Sequence, residues 1–214
     1  TPLMVGGTLY VNTAASVGAA FDARTGALKW VYNPKSYEAG TTTLTLRWNQ
    51  RGVAYWTDGK EERVYWGTGD GYLVAVDAKT GRPVPGFGVN GKVDLMDGLP
   101  RAKRGQRDYL NALTYSVQSP PIVVRDVVIT PAAISSLVKD KEQIPGWIRA
   151  FDARTGQVRW TFRTVPAKGE PGSETWEGDS NLTGGGSSWV TGSYDPELDL
   201  VYWGIGNPAP WNPR

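Results

Sequence analysis

Apolar and polar residues alternate in short stretches of this chain, and the alternating stretches return at intervals of several tens of residues. The stretch AFDARTGALKW at 20–30 comes back almost unchanged as AFDARTGQVRW at 150–160, with a weaker version, AVDAKTGRPVP, at 75–85. In each copy an alternating segment precedes a polar turn, and in the two strong copies a second one follows it, which is typical of a β-hairpin. The repeat therefore predicts a fold built from similar hairpin units.

The turn inside each copy has the residue types that a tight hairpin needs. Asp22 and Thr25 carry short polar side chains that can bond backbone N–H groups within the turn, and Gly26 can adopt a positive φ without steric cost. The equivalent residues of the other copies are Asp77, Thr80 and Gly81, and Asp152, Thr155 and Gly156.

A tryptophan closes two of the three copies. Trp30 and Trp160 are expected to wedge against the next unit, each with its indole N–H on a backbone acceptor. Pro85 stands at this position in the middle copy, so we expect that unit to be less firmly docked.

Further strands surround the hairpins. LMVGGTLYV (3–11) predicts a hairpin on its two central glycines, and PIVVRDVVI (121–129) mirrors it. WVTGSYDPELDLVYWGIG (189–206) begins a fourth unit around the turn at 195–197. Comparable strands lie near Leu9, Val64, Val127 and Val201, at spacings of 55, 63 and 74 residues.

Four strands per unit at this period predict an all-β fold, a β-propeller of about three and a half four-stranded blades. The approximate blade boundaries are 1–50, 51–118 and 119–188, with an incomplete blade at 189–214. Half a propeller leaves a free strand edge and an uncovered sheet face. The chain is therefore expected to be a fragment of a longer product, to be completed by a partner segment, or to associate with a second copy.

Composition narrows the possible functions. The chain has 214 residues, a formal net charge of +2, ten Trp, and no Cys or His. These absences exclude zinc clusters, thiol nucleophiles, histidine bases and a CxxCH haem site within these residues, so a bound metal needs oxygen ligands. The chain has no basic stripe of the kind that binds nucleic acid. It has no apolar run near the 18 residues that a membrane span needs, and its first residues do not resemble a signal segment.

Two local motifs carry weaker signals. Four acidic residues lie close together in the glycine-rich stretch 166–188 and could form an oxygen cage for calcium, although their spacing fits no known loop and favours solvated charge. They are Glu170, Glu174, Glu177 and Asp179. The run GTGDG (67–71) resembles a phosphate-binding loop, but it lies between two strands and opens no helix, which disfavours a dinucleotide site.

The pattern A-x-D-x-x-T-G-x-x-x-W resembles the tryptophan-docking motif of the pyrroloquinoline quinone (PQQ) dependent alcohol and sugar dehydrogenases, which are eight-bladed propellers. The runs RGVAYW (51–56), ETWEGD (174–179) and GNPAPWN (206–212) resemble the same family, in the same order. The resemblance covers essentially the whole chain and implies the N-terminal half of such a propeller.

This resemblance implies roles for four residues. Trp189 would be the floor on which PQQ lies, because a flat, electron-poor tricyclic acid stacks well on an indole. Arg51 would pair with a PQQ carboxylate in a fork geometry. Asn207 would offer a side-chain oxygen to Ca²⁺ or a lanthanide, and Trp211 would wall the substrate cavity.

The sequence departs from the family at several positions. Thr45–Leu46 stand where many members have a vicinal disulfide above PQQ. The metal-binding Glu of the family falls near Ser136, with Glu142 as a nearby candidate, and Gln118 replaces a pocket Thr. The family's catalytic Asp lies beyond Arg214, so no catalytic residue is assigned here.

The resemblance implies oxidation of a primary alcohol or sugar hydroxyl through metal-bound PQQ, with a cytochrome or membrane quinone as electron acceptor in the periplasm. The alternative is a non-catalytic propeller used for protein binding or assembly. Loss of the disulfide and of the metal-binding Glu favours that alternative, whereas the joint presence of Trp189, Arg51 and Asn207 disfavours it. A lyase or glycosidase would need paired carboxylates on facing loops, which the acids at 170–179 do not provide.

Overall fold

The structure, a computed structural model, describes residues 1–39, 50–100, 115–134, 143–207 and 209. Within these residues most strands form four-stranded antiparallel sheets. The first sheet consists of β1 (Leu3–Val5), β2 (Thr8–Asn12), β3 (Gly18–Asp22) and β4 (Leu28–Tyr32). The second consists of β5 (Ala54–Thr57), β6 (Glu62–Gly67), β7 (Tyr72–Asp77) and β8 (Lys92–Asp94).

The remaining strands form a third sheet and two strand pairs. In chain order they are β9 (Tyr115–Ser116), β10 (Ile122–Val124), β11 (Val127–Thr130), β12 (Ala133–Ile134), β13 (Ile148–Asp152), β14 (Val158–Phe162), β15 (Ser193–Asp195) and β16 (Leu200–Tyr202). Strands β10, β11, β13 and β14 form the third sheet, β9 pairs with β12, and β15 pairs with β16. Short 3-10 helices occupy Ser36–Ala39, Ser173–Thr175 and Ser180–Thr183. The predicted succession of four-stranded units, with a hairpin opening a fourth, is confirmed.

The repeated turn forms as its sequence predicts. One carboxylate oxygen of Asp22 accepts hydrogen bonds from the backbone N–H groups of Arg24 (3.1 Å) and Thr25 (2.8 Å) and from the Thr25 hydroxyl (2.9 Å). These bonds hold the pKa of Asp22 below its usual value. Gly26 has φ +73° and donates its N–H to the Asp22 carbonyl. The same Asp–Thr bonds recur at Asp77 and Asp152.

Trp30 docks the first sheet on the second. Its indole N–H donates to the carbonyl oxygen of Ala78 at 2.9 Å, and the Tyr10 hydroxyl donates to the same oxygen at 3.3 Å. The ring lies directly against Gly81, where an added Cβ would be 2.6 Å from a ring carbon. The turn of the second repeat thus needs Gly81 for two reasons: its positive φ and the close approach of the Trp30 ring.

Trp30→Phe is expected to lower the free energy of unfolding by about 1 kcal/mol, because it keeps most of the ring contact but removes the better donor to a buried carbonyl. Tyr10→Phe is the matched control, since it removes only the longer bond to the same oxygen and should cost less. Urea unfolding of both variants measures the difference. Equal losses in the two variants would contradict this assignment.

The middle repeat docks by a different route from the one we expected. Pro83 and Pro85 have no N–H to donate, so the segment after the turn cannot pair regularly with β7. Only an isolated bridge between Val76 and Pro83 forms there, and the paired strand β8 begins at Lys92. The intervening loop places Phe87, fully buried, against the turn of the third repeat. The sheet without the tryptophan thus contacts the next repeat turn through a phenylalanine, and its weaker docking stays a prediction.

Polar contacts join the second and third sheets beside that phenylalanine. The Arg63 guanidinium, which is buried, donates to the carbonyls of Ala153 (2.9 Å) and Arg154 (2.7 Å). The Tyr65 hydroxyl donates to the Ala153 carbonyl at 2.6 Å, and burial raises the Tyr65 pKa, which keeps the phenol a neutral donor. The guanidinium carbons of Arg63 and Arg154 lie 5.4 Å and 4.8 Å from the centroid of the Trp56 ring, which are cation–π distances.

Trp160 does not repeat the contact of Trp30. It is 41% exposed on β14, a strand on which every residue is exposed. The described part of the fourth unit is the β15–β16 hairpin, which carries no Asp-x-x-Thr-Gly turn to receive an indole. The expected wedge of Trp160 on a backbone acceptor is therefore absent within the described residues.

The acidic stretch at 166–188 also differs from a calcium loop. Glu170 pairs with Arg163 and accepts the Ala167 N–H at 2.8 Å. In the parts of the chain that the structure describes, no group of three or more acidic residues comes together as a metal site, and no helix is long and apolar enough to cross a bilayer. Solvated and locally paired charge is the interpretation that these contacts support.

Candidate functional site

Segments that connect the sheets meet at a cavity of about 330 Å³. Its lining residues are Arg51, Gln118, Ala133, Ile134, Gly185, Ser187, Trp189, Gly206 and Asn207. Three of the four residues selected from the sequence therefore share one cavity. The fourth, Trp211, lies outside the described residues, as do Thr45–Leu46, Ser136 and Glu142.

Arg51 and Trp189 form the aromatic and cationic side of the cavity. The Arg51 guanidinium carbon lies 5.6 Å from the centroid of the Trp189 ring, which is a cation–π distance. Trp189 is 44% exposed, an unusual value for so large an apolar side chain and one that leaves ring surface free for a ligand.

The Trp189 backbone is held from two directions. The Ser119 hydroxyl donates to the Trp189 carbonyl at 2.7 Å. The Gly206 N–H donates to the Ser187 carbonyl at 2.8 Å, so the segments on either side of the β15–β16 hairpin stay paired up to the cavity. An added Cβ at Gly206 would lie 3.4 Å from the Trp189 indole nitrogen, so the missing side chain allows the ring to lie there.

The Arg51 backbone is held equally firmly. Its N–H donates to the Gln118 carbonyl at 2.9 Å, and its carbonyl accepts a hydrogen bond from the backbone nitrogen of Thr1 at 2.7 Å. The Gln50 side chain donates to the Val117 carbonyl at 3.0 Å. Residues 50–51 thus run beside 117–118, and one segment, residues 117–119, contacts both sides of the Arg51–Trp189 pair.

Apolar side chains also line the cavity. Ala133 and Ile134 of β12 line the cavity, and the Ser187 hydroxyl ties this strand to the glycine-rich segment by donating to the Ala132 carbonyl (3.1 Å) and accepting the Ile134 N–H (3.2 Å). A flat ligand in the cavity would therefore meet these apolar side chains as well as the Trp189 ring.

The electrostatics of the cavity suit an anion. Arg51 is its one charged lining residue among those described, and Asn207 contributes a neutral amide at the exposed edge. An amide oxygen is a suitable ligand for a hard cation, but Ca²⁺ takes six to eight oxygens. The described lining therefore suits a planar ligand with carboxylates, and the single amide oxygen of Asn207 falls well short of the ligand set that a hard cation takes.

Sequence reasoning missed several lining residues. Ile134, which lines the cavity, carries no chemical motif, and neither does Ser119, which lies behind the lining and bonds the Trp189 carbonyl. Gly185 and Ser187 had a visible signal, because the GGGSS run at 184–188 is where a backbone can approach a ligand closely. Gln118 was noted only as a departure from the family, although it contacts Arg51.

Two further cavities contain none of the predicted site residues. One, of about 260 Å³, adjoins the first at Gly185 and is lined in part by Trp147 and Arg163. The other, of about 420 Å³, lies beside Trp160. The cavity at Trp189 is therefore the candidate site.

Successive antiparallel four-stranded blades around a cavity with an exposed indole and an arginine define a ligand-binding β-propeller domain. Residues 1–211 match the family model "PQQ: Glucose/ethanol/alcohol dehydrogenase, beta-propeller domain". The chain belongs to this family, whose cofactor is PQQ.

Curated relatives extend the comparison. The dehydrogenase subunit of a quinone-linked alcohol dehydrogenase of Gluconacetobacter polyoxogenes is 37% identical over 99% of this chain and 28% of its own length. The quinohemoprotein alcohol dehydrogenase ADH IIB of Pseudomonas putida is 35% identical, with the same coverage of 99% and 28%. Subunit 1 of the cytochrome c methanol dehydrogenase of Paracoccus denitrificans is 30% identical over 99% of this chain and 33% of its own.

Solved structures agree with these relatives. The quinohemoprotein alcohol dehydrogenase ADHIIG of Pseudomonas putida HK5 has a TM-score of 0.76 and 33% identity, covering 100% of this chain and 29% of that one. A europium-containing methanol dehydrogenase has a TM-score of 0.70 and 25% identity, covering 99% and 35%. The chain thus has the fold of a quinoprotein dehydrogenase propeller and spans about 28% of the first relatives' length.

Proposed function

We propose that this chain supplies part of the PQQ pocket of a dehydrogenase that oxidises a primary alcohol, with a sugar hydroxyl as the second candidate substrate. The observation that carries the proposal is the convergence of Trp189, Arg51 and Asn207 on one cavity. A primary alcohol is preferred because the relatives described above are alcohol and methanol dehydrogenases.

Each lining residue has a binding task that its chemistry suits. The Trp189 face stacks on a planar ring system, Arg51 pairs with a carboxylate in a fork of two hydrogen bonds, and Ile134 adds apolar surface that helps to exclude water from the cavity. When bound, PQQ supplies the two-electron redox chemistry that the side chains of this chain lack. The chain's own contribution is therefore positioning, dehydration and charge.

We propose further that Asn207 gives its amide oxygen to a Ca²⁺ or lanthanide ion. Its position at the cavity edge and the similarity to a europium-containing methanol dehydrogenase support this assignment. Such an ion would act as a Lewis acid, with ligands beyond the described residues completing its coordination.

A cytochrome is the electron acceptor that we propose, because the relatives include a quinohemoprotein and a cytochrome c dehydrogenase. A membrane quinone is the other candidate, and we propose the periplasm as the site of the reaction. The assay supplies oxidised cytochrome c and an alcohol and follows the reduced-minus-oxidised absorbance of the cytochrome. Reduction of the cytochrome that depends on the alcohol would support a cytochrome as acceptor.

Binding of PQQ tests the proposal directly. The protein at its full natural length, freed of ligands and metal, is titrated with PQQ in the presence of Ca²⁺ or Eu³⁺, and tryptophan fluorescence is followed. Saturable quenching that weakens when a chelator removes the metal is the expected result. No saturable change with either metal would overturn the proposal in favour of a non-catalytic propeller, and dye-linked oxidation of ethanol against glucose decides the substrate class.

A further inference from the structure

Gln118 lies at the point where the two sides of the cavity are joined. Its side-chain oxygen accepts a hydrogen bond from an Arg51 guanidinium nitrogen at 3.2 Å, and its backbone carbonyl accepts the Arg51 N–H at 2.9 Å. The next residue, Ser119, donates to the Trp189 carbonyl. Two consecutive residues, Gln118 and Ser119, thus hold Arg51 and Trp189 respectively.

The bond from Gln118 restricts a side chain that would otherwise be mobile. An arginine side chain has several rotatable bonds, and ordering it during binding opposes affinity. With the Gln118 oxygen on one nitrogen, the Arg51 guanidinium stays 5.6 Å from the Trp189 centroid and keeps its other donors for a ligand.

A neutral partner also preserves the charge of Arg51. Across the residues that the structure describes, no carboxylate forms an ion pair with Arg51. A Glu at position 118 would hold the guanidinium as well as Gln118 does, but it would neutralise the one charge that the cavity offers to an anion.

We propose that Gln118 is a positioning residue whose amide oxygen holds Arg51 beside the Trp189 ring, so that the clamp for a carboxylate of a planar quinone is assembled before binding. This inference rests on the proposed function, because it takes PQQ as the ligand of the cavity. It assigns Gln118 no contact with the reacting atoms.

Gln118→Met tests the proposal, because methionine keeps the length and volume of the side chain but is a much poorer acceptor. Equilibrium dialysis of the full-length protein should show PQQ affinity lowered five- to tenfold. The trimethyl ester of PQQ, which has no free carboxylate, should bind the variant and the parent within twofold of each other. Gln118→Glu should lower PQQ affinity at least as much while leaving the ester unaffected.

A double-variant cycle distinguishes positioning from direct contact. Once Arg51→Met is present, Gln118→Met should lower PQQ affinity no further, because its effect passes through Arg51. Additive losses, an equal loss for the ester, or unchanged PQQ affinity in Gln118→Met would each overturn the proposal.

A cofactor-free readout separates this inference from the proposed function. Gln118→Met should change the emission of Trp189 in the ligand-free protein, because it releases the neighbouring guanidinium, and it should change nothing once Trp189→Phe is present. If the parent protein fails to bind PQQ, the proposed function is rejected, whereas an unchanged Trp189 emission rejects the coupling of Gln118 to Arg51.

Discussion

Trp189→Ala is expected to lower the affinity of the protein for PQQ by roughly 10- to 100-fold. Stacking of a planar heterocycle on an aromatic side chain is worth about 1–3 kcal/mol by alanine substitution, and every 1.4 kcal/mol is tenfold in affinity. Trp189 is 44% exposed, so its ring offers free surface to a ligand, and its removal takes that stacking surface away. Equilibrium dialysis with PQQ and Ca²⁺ measures the loss.

Trp160→Ala is the matched control for this experiment. Trp160 has nearly the same exposure, 41%, but lies away from the cavity, so its loss should leave PQQ affinity within twofold of the parent. Trp189→Phe should fall between the parent and Trp189→Ala, since a smaller ring still stacks. Equal affinities of Trp189→Ala and the parent would show that the indole is not the floor of the site.

The hairpin units follow from local rules that a sequence displays. Asp22, Thr25 and Gly26 form their turn with bonds that span three or four residues, so the motif alone predicts the geometry. The expectations for the tryptophan position of the repeat differ from the structure in two places. Phe87 takes the place of a tryptophan from outside the repeat motif, and Trp160 lacks its acceptor within the described residues because the β15–β16 hairpin carries no Asp-x-x-Thr-Gly turn.

The candidate site divides in the same way. Trp189 and Asn207 lie together because the two segments that flank the β15–β16 hairpin pair again beyond it, where Gly206 donates its N–H to the Ser187 carbonyl and Gly186 donates its N–H to the Asn207 carbonyl. Hairpin pairing of this kind can be read from the pattern. Arg51 lies far from both in the chain, and no periodicity predicts that it reaches the Trp189 ring; that expectation came from the family resemblance.

Gly67→Ala is expected to lower the free energy of unfolding by about 3 kcal/mol and to weaken PQQ binding at the same time. Gly67 ends β6 without a positive φ, so a methyl group would be tolerated by the backbone, but the new Cβ would overlap the Val117 side chain, which is fully buried. Overpacking of this kind costs about 1–3 kcal/mol and sometimes more, because a close-packed interior cannot yield. Val117 adjoins Gln118 and Ser119, so any shift that relieves the clash moves the segment that holds both sides of the cavity.

Gly86→Ala controls for the generic effect of adding a methyl group, since an added Cβ there meets nothing within 4 Å, and its unfolding free energy should change by less than about 0.5 kcal/mol. The mechanism is tested by Val117→Gly, which removes all the overlapping atoms. That substitution alone should destabilise the protein, yet adding Gly67→Ala to it should cost little, so the two losses should fall well short of additive in urea unfolding. Strictly additive losses, or a Gly67→Ala protein with parental stability and parental PQQ affinity, would show that the contact between β6 and residue 117 does not support the cavity.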